Sequence, residues 1–118
     1  MKFQTRLIAT IFFVASIATA LPVKADTVNA RCDIYPKGKD RVSSSGLCKF
    51  SQRQGFIRIE RKDGVSYELR PVGKQPGNYL DQNGKRAYRQ AGLGKKGQIY
   101  RLAKESIYVY WDTAPYNR

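Results

Sequence analysis

Residues 97–111 read GQIYRLAKESIYVYW, the densest apolar and aromatic run outside the N-terminus. Side chains alternate along an extended chain, so Ile107, Val109 and Trp111 share one face while Tyr108 and Tyr110 share the other. Residues 103–106 contain no glycine, which predicts a four-residue type I loop or a short helical turn. Five helix-compatible residues, LAKES, are too few to hold a helix alone. Such a loop pairs Leu102 with Ile107, Tyr100 with Val109 and Arg101 with Tyr108. The stretch is therefore the last hairpin of a small β core. Tyr100, Leu102, Ile107, Val109 and Trp111 are expected to face inward, and Ile99, Arg101, Tyr108 and Tyr110 outward.

Working back along the chain, residues 85–89 and 79–82 flank Asn83-Gly84, a strong two-residue hairpin signal. That turn sets Asp81 opposite Arg86, Leu80 opposite Ala87 and Tyr79 opposite Tyr88. Residues 71–78, PVGKQPGN, carry two prolines and two glycines and read as a connection rather than a central strand. The next turn back is decided by register. A two-residue Asp63-Gly64 loop would set Ile59 against Glu68, whereas a three-residue loop, Lys62-Asp63-Gly64, pairs Ile59 with Tyr67, Ile57 with Leu69 and Arg58 with Glu68. The second choice puts apolar pairs on one face and opposite charges on the other. Strands are also expected at 30–35, 47–53 and 56–61, with a bend or bulge at Gln54-Gly55 and a Gly, Lys and Ser-rich loop over 36–46. Residues 91–97, AGLGKKG, form another flexible connection. The fold expected is all-β: a small antiparallel meander closing into a barrel or sandwich of seven to eight short strands.

Residues 1–25 have the three parts of a signal peptide: basic Lys2 and Arg6, an apolar stretch over 7–21, and Val23-Lys24-Ala25 ahead of Asp26 as a cleavage site. The apolar stretch is shorter than the roughly 20 residues a spanning helix needs. The domain is then 26–111, with 112–118 as a flexible tail and no transmembrane segment in the mature chain. Export, to the periplasm or the medium, places Cys32 and Cys48 in an oxidising compartment, so a disulfide is expected. Closing that loop is worth about 3 kcal/mol by chain entropy.

The chain has 22 Lys and Arg against nine Asp and Glu. Without Lys2, Arg6 and Lys24, 19 basic residues remain, a net charge of +10. Such a charge favours anionic partners, such as a phosphate-rich envelope polymer, acidic lipid headgroups or nucleic acid, although no specific nucleic-acid motif is present. The chain has no histidine, which excludes Ser-His-Asp and Cys-His catalysis and histidine-based metal sites. There is no Cys-x-x-Cys pair, and most carboxylates fall in turns or opposite a basic residue. Neither catalysis, a cofactor nor a bound metal is expected. The run GLGKKG at 92–97 lacks the spacing and the helix of a P-loop. A looser anion-binding nest backed by Lys95 and Lys96 is the alternative to a solvated loop. The outward face, with Arg101 beside Tyr108 and Tyr110, has the makeup of a binding surface, a cation among flat aromatics. The ligand-binding candidates are thus Lys95, Lys96, Arg101, Tyr108 and Tyr110.

The run from Cys32-Asp33-Ile34-Tyr35-Pro36 to Tyr108-Val109-Tyr110-Trp111 resembles a type of small exported bacterial protein with no assigned activity. The layout of export signal, disulfide and meander is similar, as architecture, to the periplasmic inhibitors of C-type lysozyme, eight-stranded barrels that insert a Ser-Gly type loop into the enzyme cleft. The nearest string here, Ser43-Ser44-Ser45-Gly46, lies between the cysteines, so that role is not carried over to it. A strongly basic inhibitor would also be repelled by lysozymes, which are themselves basic. Two readings follow: an exported, non-catalytic binding or envelope-associated domain for an anionic ligand, or an inhibitor of an exported hydrolase.

Overall fold

The computed structural model describes residues 26–114. The expected signal peptide, 1–25, and the last four residues of the expected tail lie outside them. Eight strands follow one another: β1 (Asp26–Pro36), β2 (Ser44–Arg53), β3 (Phe56–Arg61), β4 (Ser66–Pro71), β5 (Asn78–Leu80), β6 (Arg86–Gln90), β7 (Gly97–Arg101) and β8 (Glu105–Tyr110). Each pairs antiparallel with the next, and β8 returns to β1, closing a meander barrel. The closure rests on six residue pairs, from Arg31↔Tyr110 to Pro36↔Glu105.

Alternation explains the core. In β3, Ile57 and Ile59 point inward and are buried, while Phe56, Arg58 and Glu60 point out. Cys32, Ile34, Phe50, Leu69, Tyr100, Ile107 and Val109 fill the same interior, with Trp111 packed edge-on against Phe50 at 5.2 Å. Apolar side chains inside and charged ones outside is the reverse of a lipid-facing barrel. Cys32 and Cys48 are bonded, with Cα atoms 5.8 Å apart on neighbouring strands. Cys32 lies opposite Gly46 and Ala30 opposite Cys48, so the two sulfurs meet diagonally inside the barrel.

The β3–β4 hairpin has the expected register, Ile57↔Leu69, Arg58↔Glu68 and Ile59↔Tyr67, with Gly64 at φ 92° in the bulge position. Gln54-Gly55 makes a tight two-residue turn with both φ angles positive, 52° and 86°. Two registers differ from expectation. Strands β5 and β6 pair as Tyr79↔Ala87 and Leu80↔Arg86, one residue off. The loop there is Gln82-Asn83-Gly84, because the Asp81 carboxylate accepts the N–H groups of Asn83 and Lys85, both at 2.8 Å, and Gly84 takes the left-handed position. The slip turns Tyr88 outward and Arg89 inward. Strands β7 and β8 pair as Tyr100↔Ile107 and Arg101↔Ser106, two residues off, because Leu102 and Glu105 close around a two-residue turn. A shift of two preserves the faces, so the inward and outward sets of this hairpin stand, Ile99 excepted.

Candidate functional site

Barrel closure sets β8 between β1 and β7, and their outer faces form one surface. Opposite residues share a face, so Tyr108 lies between Asp33 and Ile99, and Tyr110 between Arg31 and Gly97. Tyr35 packs on Tyr108 at 4.9 Å between ring centroids, and Tyr108 on Tyr110 at 6.5 Å. The Arg31 guanidinium carbon lies 4.1 Å from the centre of the Tyr110 ring, and Arg31 also reaches Asp33 at 4.0 Å. The Arg31 Nε is buried and has no hydrogen-bond partner. Burial raises the Tyr110 phenol above its ordinary pKa, and the nearby Asp33 charge adds to the effect against the pull of Arg31.

Arg101 is the centre of this face. Its Nε donates to Gln90 Oε1 (2.9 Å), Nη1 to Ser106 Oγ (2.8 Å) and Nη2 to the Tyr108 hydroxyl (3.3 Å). All three acceptors are neutral, and no carboxylate of the described residues lies within ion-pair distance of it. Among those residues, carboxylates pair only with Arg31, Arg58 and Arg61. A guanidinium has five N–H donors. Three are used to hold Arg101 in place, and no carboxylate among the described residues compensates its charge.

Of the five residues singled out from the sequence, Arg101, Tyr108 and Tyr110 come together. Lys95 and Lys96 do not join them directly. They lie exposed on a single 3-10 turn, Gly94–Lys96, just before β7, and have no ion pair among the described residues. The turn is fastened to the end of β8 by the Trp111 N–H bonding the Lys96 carbonyl at 3.0 Å. Lys96 immediately precedes β7 and Arg101 ends it, about 13 Å of strand apart, so the two bracket the tyrosines from opposite ends. Ile99, expected on the open face, is buried instead, because the 91–97 connection folds back over it. A Cβ added at Gly92 would stand 3.2 Å from the Ile99 Cδ1.

Sequence reasoning missed Arg31, Tyr35, Tyr88 and Gln90. The alternation of Arg31, Asp33 and Tyr35 with Cys32 and Ile34 marks them as outward-facing. Only the β8–β1 closure puts them beside Tyr108. Gln90 and Tyr88 arrive through β6, opposite Ile99 and Arg101.

The other polar groups hold the barrel ends. Arg61 donates to the Tyr67 hydroxyl at 2.9 Å and pairs with Asp63, whose carboxyl it holds below the usual range. Burial pushes the Tyr67 phenol up to about 12, against the pull of Arg61 and with the help of nearby Glu105. Ser44, Ser45 and Gly46 begin β2 and pair with β1, where Ser45 bonds the Asp33 carboxylate. Among the described residues, no group of His, Cys, Asp and Glu is placed to hold a metal ion, and no helix is long and apolar enough to cross a membrane. Comparison with protein-family models, with curated proteins and with solved structures returned no match.

Proposed function

We propose that the protein is an exported, non-catalytic binding module whose β1–β8–β7–β6 face engages an anionic ligand or surface of the cell envelope. The observation that carries this reading is Arg101, a part-buried cation oriented by three neutral groups and with no carboxylate partner among the described residues. Burying a charge without a counter-ion costs stability, and a group held at that cost suits an incoming anion. Tyr108 and Tyr110 line its side, and Lys95 and Lys96 extend the positive field along the same edge.

Retention of the purified protein on heparin and on isolated cell envelope, followed against salt, tests the proposal. The expected result is strong retention at low ionic strength, and Arg101→Gln weakening it by about tenfold, as expected for one charged hydrogen-bonded contact. Failure to bind either matrix at low salt would sink it.

A second reading, an inhibitor of an exported hydrolase, draws on the closed eight-stranded barrel with its single disulfide. It requires a stoichiometric complex that survives moderate salt, so the same salt series separates the two.

A further inference from the structure

The geometry points to an acidic polysaccharide, a chain of sugars carrying carboxylate groups, as the ligand that lies across the strands of this face; the inference rests on the anion-binding reading above. Strand pairing sets Tyr35, Ser106, Arg101 and Tyr88 side by side on β1, β8, β7 and β6. Three strand spacings make this row about 14 Å long, longer than a single small anion and suited to several linked units. Tyr88 is half exposed and lies directly opposite Arg101, so an open ring adjoins a guanidinium that has no carboxylate partner among the described residues. Arg101 keeps two N–H donors for a carboxylate of the ligand once its three internal bonds are counted.

The surroundings of the row separate a sugar chain from other polyanions. A plain polyphosphate has no use for the flanking aromatic rings. Single-stranded nucleic acid binds by stacking successive bases on open ring faces. Here Tyr108 packs against Tyr35, and Arg31 lies over Tyr110, so those rings are engaged within the protein. The Tyr108 hydroxyl and the Gln90 amide accept from Arg101 through their oxygens, which leaves the Tyr108 O–H and the Gln90 NH2 as donors toward sugar hydroxyls, with the half-exposed Tyr88 ring open to pack on a sugar face. A bilayer surface calls for apolar side chains that insert. Val28, Val42, Phe56 and Val65 are exposed, but they sit singly, at the start of β1, in the β1–β2 loop, at the start of β3 and in the β3–β4 turn, and none of them belongs to the row.

Titration calorimetry of the purified protein with polygalacturonate, dextran, polyphosphate and oligothymidylate, at physiological ionic strength and with the anions matched in charge, tests this. Polygalacturonate is expected to bind most tightly and dextran not at all. Tyr88→Ala, at an exposed position, should weaken polygalacturonate several-fold and leave polyphosphate unchanged. Arg101→Gln should weaken both anions by about tenfold. Equal affinity for polyphosphate and polygalacturonate, with Tyr88→Ala silent, overturns the sugar inference and leaves anion binding standing. Tightest binding to oligothymidylate transfers the face to nucleic acid, and equal binding of dextran removes the need for charge. No binding to any polyanion removes both readings.

Discussion

Gln82 stands in for a strand beside Glu68: its Oε1 accepts the Glu68 backbone N–H at 3.1 Å, while its Nε2 donates to the Ser66 carbonyl at 3.0 Å. Strands β4 and β5 share only two residue pairs, Arg70↔Leu80 and Pro71↔Tyr79, so the first half of β4 has no backbone neighbour on that side. One side-chain amide, shaped like a peptide group, continues the ladder across the seam. It thereby blunts an edge that would otherwise recruit another chain.

Gln82→Ala should therefore destabilise the barrel by about 1 kcal/mol, modest because both bonds are solvent-exposed, and selectively accelerate hydrogen exchange at the Glu68 amide. Gln82→Glu keeps an acceptor for Glu68 but loses the donor to Ser66, and should fall between the two. Exchange at Glu68 that is unaltered in Gln82→Ala would show that the amide does not hold the seam.

Gly97 is required by its neighbour and not by its own conformation. Its φ is 169°, ordinary extended backbone, but a Cβ there would stand 1.9 Å from the Val109 carbonyl oxygen. That atom is backbone of the penultimate residue of β8, so the strands must separate there. Gly97→Ala is expected to cost at least about 2 kcal/mol, read by urea denaturation, whereas Gly94→Ala, with open space around it, should be limited to the strain of its positive φ.

Reducing the Cys32–Cys48 bond, or replacing both cysteines by alanine, should remove about 3 kcal/mol, because the bridge closes a sixteen-residue separation. Both cysteines are buried, so the mild reductant that opens the bond in denaturant should act far more slowly on the native protein. Equal midpoints for oxidised and reduced protein would contradict this.

Alkaline stability should depend on Tyr67. Its phenol ionises near 10.0 when unfolded and is pushed up to about 12 in the barrel, chiefly by burial. Because the folded pKa is the raised one, its contribution is complete below pH 10, falls between about 10 and 12 as the unfolded chain ionises first, and is then gone. Burial shifts Tyr100 in the same direction. Tyrosinate absorbance should rise together with loss of the barrel's circular dichroism in this window, and Tyr67→Phe should flatten the fall.

Local chemistry in the chain was enough to specify much of this protein. The alternation in 56–69, with Arg58 facing Glu68, specified the β3–β4 hairpin and its register. The two cysteines and the outward set Arg101, Tyr108 and Tyr110 were equally legible, because a strand's period of two assigns faces without knowledge of its neighbours. The β5–β6 register was not legible from Asn83-Gly84 alone, since the Asp81 carboxylate bonding across the turn added a residue to the loop.

What only the tertiary structure decided was adjacency. Nothing local in 30–36 connects it to 105–110, some seventy positions later. Closure of the barrel brings Tyr35 and Arg31 beside Tyr108 and Tyr110, the fold-back of 91–97 covers Ile99, and the slip in β6 exposes Tyr88 next to Arg101. The physical reason is that faces are a property of single strands, whereas a composite surface depends on which distant strands pair to satisfy the edges of the sheet.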